Sequence, residues 1–373
     1  MNGAKRIIVT AGGTGGHIFP ALAVAEEMRR LGNAVLFVGS AGGPESARAK
    51  SDGFQFVGLK VAGFDRSSLL KTIKSLALLP WAVREAMETL SSFSADAVVG
   101  CGGYASGPSC IAAAIKEKPF FLLEQNVYPG LVTRRLAHRA AKIYASFPET
   151  RNYLERGNMA VFGNPTRREF VPPPKRDFQS FEKTLLVIGG SQGARSINKA
   201  VMQALPALSK LNLRIIHQTG ESDAGDVRAA YAKRVTAFAG RSSNGSFAFS
   251  APTMTAEPFF EDMADKMKSA HLAVARAGAS SCAELLLTGL PSVLVPYPGA
   301  GGHQKYNALA MENCGASVEI DDVDLTGEIL AEKISGLVRK PAILEKMSYS
   351  CVKNSRPGAA RAISDDIMKA LRN

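Results

Sequence analysis

A chain of 373 residues with 46% apolar side chains and 35 glycines has room for two cores and is too apolar to be disordered. Its five cysteines (Cys101, Cys110, Cys282, Cys314, Cys351) are odd in number and scattered, which argues against a disulfide framework or zinc knuckle and for reduced thiols in the cytosol. The net charge of +12 admits nucleotide, nucleic acid or anionic lipid as partner without choosing among them.

The first element is an apolar strand, Arg6 to Ala11, which runs into Gly12-Gly13-Thr14-Gly15-Gly16-His17 and then a helix from Phe19 to Met28. Lys5 and Arg6 precede an apolar run too short for a signal peptide, and no stretch reaches the ~18–20 apolar residues of a membrane-spanning helix. A strand, a turn without Cβ atoms and a helix N-terminus together offer backbone N–H groups to an anion. The turn is not a dinucleotide fingerprint, because its glycines crowd together and the next strand, Ala34 to Gly39, ends without an acid. Nor is it a P-loop, since no Gly-Lys-Ser/Thr follows. His17, at the head of the helix, is placed either to take a proton as general base or to position a backbone or phosphate contact.

From Arg66 to Arg84, Leu69, Leu70, Ile73, Leu76, Leu78, Leu79 and Trp81 interleave with Lys71 and Lys74. Such a basic, apolar helix carrying the lone Trp suits a membrane interface or an ordinary seat on a sheet. Strands follow at Ala95–Gly100, Pro119–Glu124 and Lys142–Ser146, the first leading into Gly102-Gly103-Tyr104-Ala105-Ser106-Gly107-Pro108 and a helix from Ser109 to Lys116. The stretch Gly163 to Pro174 closes on three prolines, which favour an extended connector and place a hinge.

Beyond it the opening pattern recurs: Thr184 to Ile188, then Gly189-Gly190-Ser191-Gln192-Gly193-Ala194-Arg195, then a helix from Ser196 to Leu205. Leu213–His217, His271–Ala275 and Pro291–Pro296 read as further strands, and Gly240 to Pro258 as a flexible surface loop. Strands alternating with helices in both halves predict parallel sheets in two nucleotide-fold domains facing across a cleft. Small residues from Arg276 to Glu284 let a ligand approach a helix start, where Glu284 either accepts from ribose hydroxyls or only stabilises the helix. His303 to Asn307, after the glycines of Pro298–Gly302, adds a weaker crevice signal. Asp322-Val323-Asp324 matches an Asp-x-Asp pattern but stands apart from the glycine turns, and reads as the start of a surface helix rather than a cation site. Dispersed charges and the lack of an aromatic platform argue against nucleic acid.

Taken in order, Gly12 to Ala23, Gly102 to Pro108, Glu124-Gln125-Asn126, Gly163-Asn164-Pro165, Gly189 to Arg195 and Arg276 to Glu284 resemble the lipid II-forming transferases of glycosyltransferase family 28 over nearly the whole chain. The resemblance implies an α/β protein of the GT-B fold with two Rossmann-like, parallel-sheet domains. It implies an acceptor- and membrane-side domain over 1–164, a linker over 165–182, a donor domain over 183–356, and a final helix (about 357–373) packed back on the first domain. The implied reaction is inverting, β-1,4 transfer of N-acetylglucosamine from UDP-GlcNAc to the muramyl 4-hydroxyl of lipid I, without cofactor or metal. It would occur at the cytoplasmic face of the bacterial plasma membrane, with an anionic lipid surface and cell-wall synthesis proteins as partners and no nucleic acid.

The resemblance also distributes roles. Thr14, Gly15, Gly16 and Asn126 would touch the donor from the N-terminal domain. Arg167 and Ser191 would lie near the phosphates, and the backbone of Phe260 near uracil. Ala279, Ser280, Ser281, Cys282, Ala283 and Glu284 would surround the nucleotide sugar, with Glu284 on the ribose and Gln304 on the N-acetylglucosamine. Gly103, Tyr104 and Ser106 would line the acceptor side, with His17 the first candidate for the base and Glu124 the second. Ser281-Cys282 stands where Thr and an aliphatic residue are frequent, and the segment 240–258 is longer than usual. The rival readings are a sugar-nucleotide epimerase of similar build and a non-catalytic UDP-sugar-binding or lipid-docking protein.

Overall fold

The computed structural model describes residues 3–61, 69–173, 175–190, 193–242 and 253–372, the side chains of 69–77, 237–242 and 300 excepted. It divides into Met1–Arg167 with Arg356–Asn373, and Arg168–Ser355.

In the N-terminal unit the apolar runs become strands β1 (Arg6–Thr10), β2 (Ala34–Ser40), β3 (Gln55–Leu59), β4 (Ala97–Gly100), β5 (Phe120–Glu124), β6 (Lys142–Ala145) and β7 (Met159–Val161). They pair in parallel in the order β3-β2-β1-β4-β5-β6-β7, with Ile7 in register with Val35 on one side and Ala97 on the other. Helices α1 (Gly15–Arg30), α2 (Pro44–Ser51), α3 (Leu69–Ser92), α4 (Ser106–Ile115) and α5 (Leu131–Leu136) supply the crossovers. Central strands covered on both faces carry unbroken apolar runs, and β4 and β5 are buried along their whole length. The edge strands β3 and β7 are only partly buried, so neither carries the continuous apolar signal of its neighbours.

The C-terminal unit repeats the plan. Strands β8 (Lys183–Ile188), β9 (Leu213–Gln218), β10 (Met254–Glu257), β11 (Leu272–Ala275), β12 (Ser292–Leu294) and β13 (Ser317–Glu319) form a parallel sheet in the order β10-β9-β8-β11-β12-β13. Helices α6 (Arg195–Leu208), α7 (Ala224–Ser242), α8 (Met263–Ser269), α9 (Ala279–Leu287), α10 (His303–Asn313), α11 (Gly327–Val338) and α12 (Pro341–Asn354) accompany it. The stretch read as a loop from Gly240 to Pro258 is corrected at both ends: α7 runs to Ser242, and Met254 to Glu257 adds a strand to β9, with Met254 opposite Ile215. Ladder hydrogen bonds to a waiting strand edge override the local turn-forming composition. Residues 243–252 lie outside the described residues.

The last helix, α13 (Ala359–Ala370), belongs to the N-terminal unit. Its Ile363 and Ile367, one helical turn apart, are wholly buried in the core that also holds Ala21, Val24, Ala25 and Met28 of α1. Asp366 fastens it to β6 by accepting from Lys142 Nζ at 2.8 Å and the Tyr144 hydroxyl at 2.7 Å. Burial alone would raise the Asp366 carboxyl, but the hydrogen bonds from Lys142 and Tyr144 outweigh it and hold the group below its ordinary value. A lowered carboxylate stabilises the fold above its unfolded value near ~4 and loses that contribution as the pH falls through the folded one. Asp366→Asn is therefore expected to cost about 1 kcal/mol at pH 7, or ~2–4 °C in a thermal melt, with the gap to wild type closing as the melt is repeated at falling pH.

Candidate functional site

In each sheet the chain fills one side and then crosses to the other, between β1 and β4 in the first and between β8 and β11 in the second. Parallel sheets bind ligands at the carboxyl ends of the strands that flank such a switch. Those ends carry Gly12–His17 and Gly102–Pro108 in the N-terminal unit, and Gly189–Arg195 and Arg276–Ala279 in the C-terminal unit. Topology thus sorts glycine-rich segments scattered along the sequence into two pairs.

The N-terminal pair is built on backbone contact. A Cβ on Gly103, at φ +79°, would fall 1.8 Å from the Gly12 carbonyl oxygen, and one on Gly102, at φ +89°, 2.6 Å from His17 Nδ1. The His17 ring therefore rests against bare backbone. Its Nδ1 lies 3.2 Å from Gln125 Oε1, while Gln125 Nε2 donates to the Cys101 carbonyl at 3.1 Å. Because the amide nitrogen is committed to a carbonyl, the amide oxygen faces the ring, and Nδ1 must carry the hydrogen. That leaves the Nε2 lone pair as the acceptor.

Around this centre the other residues divide. Glu124 is 3% exposed, and its carboxylate accepts from the backbone N–H of Asn126 at 3.0 Å and of Gly130 at 2.9 Å. It shapes the loop that presents Gln125 and Asn126. Tyr104 is 40% exposed beside Gly13, and Thr14 is an exposed N-cap whose carbonyl accepts from His17 N at 3.0 Å. Gly15 and Gly16 open α1, where first-turn N–H groups lack intrahelical partners. Ser106, expected on the acceptor side, is wholly buried and bonds to the Thr10 carbonyl at 3.0 Å and the Gly102 carbonyl at 2.5 Å, so it braces the wall from beneath. Arg167, expected with the donor domain, is the last residue of the N-terminal unit, its guanidinium 5.2 Å from the centre of the Phe19 ring. On α3, Trp81 is 64% exposed; among the described residues no helix is long and apolar enough to cross a membrane.

In the C-terminal unit, Gly193 approaches so closely that a Cβ would lie 2.2 Å from the Thr219 carbonyl oxygen. Asn198 of α6 donates to that carbonyl at 2.9 Å and to Asp223 at 2.8 Å, while its Oδ1 lies 2.9 Å from His217 Nε2. His217 Nδ1 lies 2.8 Å from the Tyr231 hydroxyl, so Nε2 donates and Nδ1 accepts. Burial pushes His217 down to about 3, the Asp223 charge opposing it, and the ring is held neutral. Ser191 lies outside the described residues.

Arg276 joins the second turn to the first: its guanidinium pairs with Asp322, donates to the Val295 carbonyl at 3.1 Å and reaches the Ser196 hydroxyl at 2.8 Å. Ser196 in turn donates to Asp322 at 2.6 Å. Asp322 therefore does not begin a helix, α11 starting only at Gly327, and its carboxylate is spent on the turn. No group of three or more His, Cys, Asp or Glu that could hold a metal ion occurs among the described residues.

On α9, Ala279 is buried while Ser280, Ser281, Ala283 and Glu284 are partly exposed. Cys282, expected at the nucleotide sugar, has its side chain in the core, where burial pushes the thiol up to about 12; its backbone alone is left for such a role. Gln304 accepts from the Tyr297 N–H at 3.0 Å, with its amide nitrogen beside Gly278 at the head of α9. The Phe260 N–H donates to Gln218 Oε1 at 3.0 Å. The roles of Gln125, Asn198 and Gln218 escaped the sequence reading, although Gln125 lies in a quoted motif, because each works through contacts with distant segments. Their one local sign is a polar amide at or just beyond a strand end, or early in the helix that follows.

Family models match both halves of the chain, the second running into the start of α13. The model of the glycosyltransferase family 28 N-terminal domain matches residues 7–145, and that of the C-terminal domain residues 184–363. The chain is 38% identical over 373 residues to the UDP-N-acetylglucosamine--N-acetylmuramyl-(pentapeptide) pyrophosphoryl-undecaprenol N-acetylglucosamine transferase of Syntrophus aciditrophicus (strain SB), covering 98% of this chain and 99% of that one. Among solved structures it matches Acinetobacter baumannii MurG with a TM-score of 0.81 and 28% identity, over 98% of this chain and 99% of that one. A putative UDP-N-acetylglucosamine 2-epimerase from Listeria monocytogenes shares the fold at TM-score 0.67 but only 12% identity, over 99% and 97% of the two chains.

Two measurements check the geometry directly. Nitrogen-15 NMR of the neutral ring is expected to find His17 in the Nδ1–H tautomer, and Gln125→Ala to mix the two tautomers. For His217, a lowered value means that the unfolded chain takes up a proton below ~6.5 while the folded one does not, so stability falls with falling pH in that window. His271, pushed down by burial and by Arg176, works in the same direction. Urea unfolding at pH 6.5 and 5 should show wild type losing about 1–2 kcal/mol more than His217→Gln.

Proposed function

The chain belongs to glycosyltransferase family 28, and from that membership we infer that it transfers N-acetylglucosamine from UDP-GlcNAc to the muramyl sugar of lipid I, forming lipid II for peptidoglycan. It is a GT-B enzyme in which both units are parallel-sheet Rossmann-like domains. Because the acceptor is lipid-linked, the enzyme works at the cytoplasmic face of the plasma membrane. The net charge of +12 and the exposed Trp81 on α3 suit an anionic lipid surface there.

The observation that carries the mechanism is the His17–Gln125–Cys101 chain of hydrogen bonds. With Nδ1 committed to Gln125, Nε2 takes the proton of the muramyl 4-hydroxyl as that oxygen forms its bond to the anomeric carbon. The carbon–oxygen bond to the diphosphate breaks on the opposite face, its electrons leaving with UDP and the configuration inverting. Glu124, whose carboxylate already accepts two backbone N–H groups, orients the loop rather than taking the proton. Thr14, Gly15, Gly16, Tyr104 and Asn126 present the acceptor side and the near edge of the donor.

The C-terminal unit holds the donor. The turn from Gly189 to Arg195, with Ser191, meets the diphosphate at the head of α6. The head of α9 and Glu284 take the ribose, Gln304 the transferred sugar, and the backbone at Phe260 the uracil. Fixed N–H donors at helix starts stabilise the charge that develops on the leaving diphosphate, so transfer proceeds without a metal.

Labelled UDP-GlcNAc supplied with a lipid I analogue tests the reading. Transfer should survive a chelator, and His17→Ala should lower kcat by roughly 10²- to 10⁴-fold with the donor KM within a few-fold of wild type. Near-normal turnover by His17→Ala across the pH range would remove the base assignment. Isomerisation of UDP-GlcNAc without acceptor would favour an epimerase.

A further inference from the structure

Gln218 closes β9, which lies between β8 and β10, and it stands in register with Ile188 on one side and Glu257 on the other. Its side chain is 3% exposed and reaches over both neighbouring loops. Nε2 donates to the Gly190 carbonyl at 3.0 Å, and Oε1 accepts from the Phe260 N–H at 3.0 Å. Its own carbonyl accepts from the Gly189 N–H at 3.4 Å. One buried amide therefore ties the glycine turn after β8 to the segment after β10. A carboxylate could not donate to Gly190, and an aliphatic side chain could do neither.

We propose that Gln218 is a positioning residue that holds the diphosphate turn and the Phe260 segment in mutual register, and through the Phe260 backbone sets the base selectivity of the donor site. The proposal rests on the donor reading above. Uracil and cytosine have nearly the same outline and differ in which edge atoms donate and accept. Backbone groups tell them apart only when held in place, because a mispaired edge leaves polar atoms unsatisfied. The two halves of the amide have separable consequences: the oxygen fixes the base segment, the nitrogen fixes the turn.

Titration calorimetry of UDP and CDP into the full chain, with thermal melts alongside, separates them. Wild type should prefer UDP. Gln218→Met, which loses both bonds, should weaken UDP by about tenfold and shrink the UDP/CDP ratio. Gln218→Glu keeps an oxygen for the Phe260 N–H but sets a charge against the Gly190 carbonyl and the phosphates. It should weaken both nucleotides together and leave their ratio unchanged. A folded Gln218→Met with the wild-type ratio overturns the proposal, as does a collapsed ratio in Gln218→Glu. Wild type that ignores UDP, or does not prefer it to CDP, overturns the donor reading instead. Should Gln218→Met fail to fold, hydrogen exchange at the Phe260 amide of wild type decides: protection like that of β10 supports the tie, and free exchange removes it.

Discussion

Where the turn after β4 crosses the turn after β1, a Cβ on Gly103 would lie 1.8 Å from the Gly12 carbonyl oxygen. That approach of bare backbone to bare backbone is the constraint from which the N-terminal site follows. It brings Gly102 against the His17 ring and leaves Ser106 underneath as a brace. The C-terminal unit has its counterpart in Gly193 on the Thr219 carbonyl. A side chain at Gly103 or Gly193 would force the strand ends apart and unseat the hydrogen bonds that converge there.

On that close-packed base, orientation is set chiefly by amides and less by charges. Gln125, Asn198 and Gln218 each donate from one atom and accept on the other, so each links two segments and fixes their polarity at once. Buried amides avoid the large desolvation cost that an isolated charge would carry at the same positions. Where charges are used, they are spent on the protein's own groups: Glu124 on two backbone N–H groups, Asp322 on Arg276 and Ser196. A base that must accept and release a proton is better seated by a neutral partner such as Gln125 than by a carboxylate that would hold the proton on the ring.

The central strands were legible because strands covered on both faces carry continuous apolar runs, as β4 and β5 do. The edge strands β3, β7, β10 and β13 were not, because a half-exposed strand of three to five residues is specified by its neighbour's free edge more than by its own composition. Met254 to Glu257 shows this most plainly, reading as loop until β9 offers it a ladder. Motif positions told which residues gather at the site but not which way they face. Cys282 and Ser106 sit inside their motifs with side chains buried in the packing, while Gln125, inside another, orients the histidine.

The sequence by itself determined two parallel-sheet units, the glycine turns, His17 at a helix start and the family to which the chain belongs, since all of these are written in short contiguous stretches. Tertiary structure decided how the turns pair, which nitrogen of His17 is bare, what Asp322 binds and which residues seat the last helix. Those answers lie in contacts between residues far apart in the chain: 108 positions between His17 and Gln125, 224 between Lys142 and Asp366. No local propensity encodes such pairs; they exist only once strand order has brought the segments together.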